Sequence, residues 1–526
     1  MRRTVTLIFA VALMACLLPA AASAAPQSFP FGVSAGEVTP TTARLWTRAS
    51  RPGDVQLQLA LKSSFSGRRA IRLSARTAND LTVQATMARL RPGRTYFYRA
   101  VAGKRRSVVG TFRTAPAASQ ARTIEFAYSG DTDAQRAVGQ SQPFYNNFEV
   151  YRRMAEEKND FNINFGDTIY SDTEVGATME GGQFMPSAPT ALTVPQKWAK
   201  YRQNLALPNL QLLRRSAGLY SHWDDHEFIN DFSLSEGGRK LYRAGVKAFR
   251  DYAPVSFTSQ DGLYRTRRWG KHLELFFLDE RSFRDAKASQ GGTCDNPETG
   301  EPDLAPTAPQ RSRDLFAILA PSLKQPVSKA CLDRIRDPQR TFLGSRQYKE
   351  FTKAVKRSKA TFKVIMNETP IQQYYALPYD RWEGFEAERK RLITYLRDNV
   401  KNAVFLTTDT HGNLVNDVRL QTLEDGGPVD SGILEAVTGP VATKTFAKEI
   451  DDAVGQEGAG AAISAAFFKP EPPDGVGMDC AATDTFSYSQ VTVTGKALTI
   501  TPKDLNGNPV RDDSGEPCGP FAIAAK

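Results

Sequence analysis

Four short segments gather the side chains that could do chemistry. Ser129-Gly130-Asp131-Thr132-Asp133 and Phe165-Gly166-Asp167-Thr168-Ile169-Tyr170 each place an aspartate directly after a glycine. Glycine lets the chain turn sharply there, so the carboxylate is presented where a strand ends. The Asp167–Tyr170 spacing can aim a carboxylate and a phenol at one point. A phenolate beside carboxylates suits a hard trivalent cation such as Fe³⁺. Either aspartate alone is more often a turn former or a helix cap; with Tyr170 the two read as a metal site. The third segment runs from Ser221 to Asp231 and contains His222, Asp224, Asp225, His226, Glu227 and Asn230, with two of the chain's four histidines. Trp223, Phe228 and Ile229 anchor it in a core. The fourth is Thr407-Thr408-Asp409-Thr410-His411-Gly412-Asn413. Asp-x-His beyond a buried strand is a natural metal-binding pair, because side chains two apart point the same way.

The elements that must present these segments follow from hydrophobic patterning. The segments share one design, in which an apolar strand ends and ligand-type residues follow at once. In open α/β sheets, ligands bind beyond the carboxyl ends of strands. Ile124–Tyr128, Phe161–Phe165, Leu273–Leu278, Phe362–Met366 and Val404–Thr407 read as strands. Phe148–Lys158 and residues 195–215, 238–251, 345–357 and 384–399 read as helices. Such alternation predicts a large mixed α/β domain. Residues 28 to 114 differ: Thr42–Arg48, Val55–Leu59 and Thr95–Val101 alternate at period two, with a turn at Pro92-Gly93. Several short strands in so few residues predict a small β-sandwich. Thr114–Ser119 reads as a linker, 284–330 as a long excursion, and the Gly/Ala-rich stretch 454–465 as a mobile loop.

Bulk properties narrow the class. At about 150 residues per domain, 526 residues imply more than one unit. With 41% hydrophobic and 24% charged residues, the chain reads as a soluble globular protein and not a disordered one. Beyond the N-terminus nothing approaches the roughly 20 apolar residues that span a bilayer. Arg2-Arg3, the apolar run Val5–Leu18 and Ala22-Ser23-Ala24 predict a signal peptide over 1–24. A twin-arginine signal, or a lipobox at Leu13-Met14-Ala15-Cys16 with lipid on Cys16, are the competing readings. The expected location is extracytoplasmic, in a periplasm or cell wall. Past the signal, Cys294, Cys331, Cys480 and Cys518 can form two disulfides outside a reducing cytoplasm. Three connectivities are open; proximity favours Cys294–Cys331 and Cys480–Cys518. No C-x-x-C pair suggests a thiolate metal site. The net charge of +11 is spread along the chain. It attracts anions such as phosphate esters, anionic polymers and phospholipid head groups, and gives no sign of sequence-specific nucleic-acid binding.

The ordered set of motifs resembles the PhoD-like alkaline phosphatase family, within the calcineurin-like metallophosphoesterases and purple acid phosphatases. The motifs are Gly166-Asp167-x-x-Tyr170, Trp223-Asp224-Asp225-His226-Glu227, Asp279-Glu280-Arg281, Leu343-Gly344-x-x-Gln347 and Asp409-x-His411, preceded by Leu45-Trp46-Thr47-Arg48 and Gly110-Thr111-Phe112-Arg113-Thr114. The resemblance implies a four-layer α/β/β/α metallophosphoesterase sandwich over 120–526 and an N-terminal fibronectin-type β-sandwich over 26–114. It implies two or three metal ions, Fe³⁺ with Ca²⁺, or with Zn²⁺, Mn²⁺ or Mg²⁺. Asp167 would bridge, Asp131 and Tyr170 would hold the first ion, and Asp225, Asp409 and His411 the second; Asp133 and Asp224 are further candidates. Relatives carry Cys where Asp131 stands, a soft donor replaced by a hard one. A metal-bound hydroxide would attack phosphorus. His226 is the candidate general acid, or else a structural histidine bonded to a nearby acid. Arg281 is the candidate phosphate clamp, or else a partner of Asp279. The expected protein is a monomeric phosphatase acting on monoesters and diesters. The alternatives are a phospholipase D-type phosphodiesterase with lids from 172–195 and the C-terminal region, and a non-catalytic cell-surface binding protein.

Overall fold

A computed structural model of the chain describes residues 28–176, 178–180, 183–258 and 262–526. The expected signal peptide and Cys16 lie outside the described residues. Three strands, Ile124–Ser129, Phe161–Phe165 and Gly218–His222, run parallel at the middle of a 9-stranded sheet. The hairpin Ser487–Val493 and Ala497–Asp504, then Phe521–Ala524, extend one flank; Val33–Gly36, Ala43–Arg48 and Thr82–Met87 extend the other. A 7-stranded sheet carries Leu273–Phe277, Phe362–Asn367 and Ala403–Thr407 in parallel.

Every residue of Phe161–Phe165 and of Ala403–Thr407 is buried, as expected of parallel strands covered on both faces. Phe126, Ile163 and Tyr220 of the first sheet meet Leu275, Val364 and Val404 of the second in one core. Behind the first sheet, Tyr151, Leu213 and Phe249 from helices pack with Ala127 and Trp223. Behind the second, Phe351 and Leu392 from helices pack with Phe276 and Phe405. The layers are therefore helix, sheet, sheet, helix. The helical stretch expected over 195–215 is two helices, Val194–Leu205 and Pro208–Ser216. Pro208 opens the second, where its missing N–H costs nothing. The stretch 454–465 is not the expected loop. After Gly458, helix Ala459–Ile463 leads into the π-turn Ser464–Phe468; its alanines propagate helix, which its glycines masked.

The N-terminal region supplies a 5-stranded sheet of Arg69–Ala75, Gly53–Ala60, Thr95–Ala102, Arg105–Arg106 and Gly110–Arg113. Its other strands belong to the large sheet: Val33–Gly36 pairs in parallel with Gly218–His222, Ala35 opposite Gly218. The compositional break near 114 is therefore not a break in hydrogen bonding. Asp80 reinforces the junction by accepting bonds from Arg48, from Arg202 and from the Tyr252 hydroxyl. Disulfides join Cys294 to Cys331 and Cys480 to Cys518, the pairing that proximity favours. The second links edge strand Cys480–Ala482 of the 7-stranded sheet to the segment entering Phe521–Ala524, the edge of the 9-stranded sheet.

Candidate metal centre

Strand register brings the motifs together. Asn164 lies opposite both Ser129 and Ser221, so the chain leaves adjacent strands at one level toward Asp131, Asp167 and Asp224. From the facing sheet, Thr407 beside Asn367 delivers Asp409 and His411 to the same edge. Donor atoms of Asp131, Asp167 and His411 lie within 4.8 Å of one another, as do those of Asp167, Asp225 and His226, and those of Asp224, Asp225 and Asp409. Asp167 is common to the first two groups and Asp225 to the last two, the arrangement a bridging carboxylate needs. The Tyr170 hydroxyl stands 2.9 Å from His411 Nε2, which puts the phenol in the first group. Asp225, Asp231 and Asp380 make a further group at the rim.

The site is strained and electrostatically loaded. Asp131, Asp167, Asp409 and His411 all take left-handed backbone, with φ of 64°, 45°, 71° and 57°. That conformation costs an L-residue about 1–2 kcal/mol and persists where the surroundings impose it, typically at functional sites. Burial pushes the Asp131 carboxyl up to about 7, against the pull of His411. Burial raises Asp167 well above the carboxylate range, with His226 opposing and Asp225 and Asp224 adding to the rise. Burial and the Asp167 and Asp131 charges likewise lift the Tyr170 phenol. Neither oxygen of Asp131 has a hydrogen-bond partner, and the residue is 0% exposed. A buried carboxylate in that state is costly without a counter-charge, so this donor set fits cations.

The imidazoles are oriented by carboxylates. His226 Nδ1 bonds Asp172 at 2.7 Å, and its ring stacks 4.1 Å from the Tyr170 ring. Its backbone N–H donates to Asp167 at 3.1 Å. Burial would lower the His226 pKa, but Asp172, Asp225 and Asp167 hold it well above the ordinary value. His411 Nδ1 bonds Glu449 at 2.6 Å, leaving Nε2 toward Tyr170 and Asp131.

Several expectations are corrected. His411 lies with Asp131 and Tyr170 and not with Asp225 and Asp409: its Nε2 is 2.9 Å from the Tyr170 hydroxyl and groups with Asp131 and Asp167. Arg281 neither clamps an open site nor pairs with Asp279. It is 0% exposed, bonds Asp224 and Asp380, and reaches Asp409 at 3.1 Å, so its guanidinium is spent on carboxylates. Asp133 stands apart from the metal-type groups: it accepts from the Gln135 N–H at 2.8 Å and from the Thr173 hydroxyl, a turn role. His222 sits in the core, bonded to Glu368 at 2.7 Å and to Arg265 at 2.9 Å. Asp172, Asp380 and Glu449 escaped the sequence reading. Asp172 shares a loop with Tyr170 and could have been singled out; the other two arrive by tertiary packing, with no local signal.

Above the acids opens a cavity of about 280 Å³. Asp167, Asp225, His226, Asp409 and His411 line one side; the rest is mainly apolar, from residues 304–323, 374–381 and 446–468. Among the described residues, none of 172–195, the expected lid, lines it.

Comparison with known proteins places these features. The description "PhoD-like phosphatase" matches residues 135–500, and "PhoD-like phosphatase, N-terminal domain" matches residues 15–116. Alkaline phosphatase D of Bacillus subtilis (strain 168) is 23% identical over 444 residues, 76% of this chain and 67% of that protein. The solved structure of PhoD aligns over 95% of this chain and 89% of its own, with a TM-score of 0.70 and 20% identity. Purple acid phosphatase PPD1 from yellow lupin (Lupinus luteus) seeds aligns over 94% of this chain and 73% of its own, with a TM-score of 0.54 and 10% identity. At these identities the two structures establish a shared fold.

Proposed function

From the premise that this chain belongs to the PhoD-like phosphatase family, and is thereby a phosphoric ester hydrolase, we propose that its clustered acids hold two or three metal ions and that it hydrolyses phosphate monoesters outside the cytoplasm. The observation that carries the reading is the fully buried Asp131 carboxylate, which accepts no hydrogen bond and lies beside Asp167 and His411. Asp131, Tyr170 and His411 would hold one ion, Asp167 would bridge, and Asp225 and Asp409, with Asp224, would hold the second. Phenolate and carboxylate donors with one imidazole suit Fe³⁺. The all-carboxylate group suits Ca²⁺, with Mg²⁺ or Mn²⁺ as the next fits and Zn²⁺ after them. Ions bound there supply Lewis acidity, which activates water and offsets charge on phosphoryl oxygens.

The chain's own residues do the rest. His226 donates a proton to the leaving alkoxide, a role worth about 10²–10⁴ in rate. Asp172 fixes its tautomer through Nδ1, and the Tyr170 ring fixes its plane. Arg281 acts as a positioning residue that holds Asp224 and Asp409 in place. The two disulfides support an extracytoplasmic location.

The test is hydrolysis of p-nitrophenyl phosphate together with elemental analysis. Asp167→Asn should lose both activity and bound metal; His226→Ala should lose activity and keep metal. Full activity in either variant removes that residue from the mechanism. A visible tyrosinate–Fe³⁺ band that disappears in Tyr170→Phe would identify the first ion. The roomy apolar side of the cavity favours a second reading, in which a diester is the better substrate. A higher kcat/KM on bis-p-nitrophenyl phosphate than on the monoester would select it.

A further inference from the structure

The helix Phe446–Val454 is turned the wrong way for a helix that only packs. It buries Ala447 and Asp451 against the protein, while Phe446, Ile450, Ala453 and Val454 face the cavity. Their i, i+4, i+7, i+8 spacing makes one continuous apolar stripe, yet none of the four is fully buried. Leu377, which is 55% exposed, and the half-buried Leu319 line the same cavity. An enclosed apolar surface left to water is uncommon on a monomer and marks a binding site.

Glu449 lies on the same face of the helix beside the apolar stripe, and its carboxylate holds His411 Nδ1 at 2.6 Å. One helix therefore carries both the apolar wall and a residue that orients the acid floor. Resting on the phosphoesterase reading, we propose that this wall binds the alkyl chain of an amphiphilic phosphate ester whose phosphate lies on the Asp167–Asp225–Asp409 floor. A sugar or nucleoside arm is disfavoured, because its hydroxyls would lose water against a wall with few polar groups. An alkyl arm gains at each methylene buried.

The experiment is a series of methyl, butyl, hexyl and octyl phosphate, each below its micelle concentration, with released inorganic phosphate measured. In the wild-type protein kcat/KM should rise about two- to fourfold per methylene. Ile450→Asn and Val454→Asn should each at least halve the slope of log kcat/KM against chain length. A flat wild-type series, or an undiminished slope in whichever variants fold by circular dichroism, overturns the proposal. A flat series with concentration-dependent dimers that the same variants abolish gives the wall to a second copy instead and also overturns it. If no member releases phosphate, methyl phosphate included, the phosphoesterase reading fails separately. Calorimetric titration with non-hydrolysable alkylphosphonates then decides the wall alone: affinity that climbs with chain length and falls in the variants supports it, and constant affinity overturns it.

Discussion

Asp172 and Glu449 each touch an imidazole at Nδ1, so they separate proton transfer from metal retention. Asp172→Asn keeps the shape of the side chain but removes the charge that orients His226. It should lower kcat about tenfold to a hundredfold with metal content unchanged, and Asp172→Glu should recover part of the loss. Glu449→Gln should instead lower metal affinity, by about 10–100-fold as for other residues that orient a histidine ligand, as read by competition with a chelator. Asp167 and Tyr170 stand out in the sequence because a carboxylate and a phenol share one short loop. Arg281 was misread because an arginine after a strand looks alike whether it meets phosphate or carboxylates. Only the packing of three acids around it decides.

At the scale of elements, the site depends on close approach between loops. Strand Ile124–Ser129 hands over to Asp131 through Gly130, where a Cβ would collide with the Phe165 carbonyl of the next strand. Gly130→Ala should therefore spread the loops that carry Asp131 and Asp167 and cost about 1–3 kcal/mol, the usual range for overpacking; thermal unfolding and metal content together would show it. The same crowding predicts that chelators lower Tm. Cations that bind only the folded protein stabilise it by mass action, and here they also neutralise buried acids beside left-handed backbone. Of the strands that end at the motifs, Ile124–Ser129, Phe161–Phe165 and Ala403–Thr407 were legible from their apolar runs, nearly to the residue, whereas Gly218–His222 was not read as a strand. Helix Ala459–Ile463 was not legible either, because alanine and glycine together give weak periodicity.

For the whole molecule, Asp80 shows how the N-terminal region is fastened. Burial alone would raise its carboxyl pKa, but bonds from Arg48, Tyr252 and Arg202 hold it below the ordinary 3.8. As pH falls, the unfolded chain takes up this proton before the folded one does. The stabilisation is thus fully present above 3.8 and is lost as pH drops through the folded value. Urea unfolding at pH 7 should find Asp80→Asn weaker by about 1–3 kcal/mol, with the gap narrowing below pH 3.8. A change in strand spacing near residue 114 was legible, but the shared sheet was not, because composition carries no record of which strands pair. That sharing matters to anyone shortening the gene. Starting at residue 120 would delete Val33–Gly36 and leave Gly218–His222 as a raw border, its amides open to any passing chain. The shortened product should clump, and an N-terminal region borrowed from a relative would rescue it only by supplying a replacement neighbour for that border.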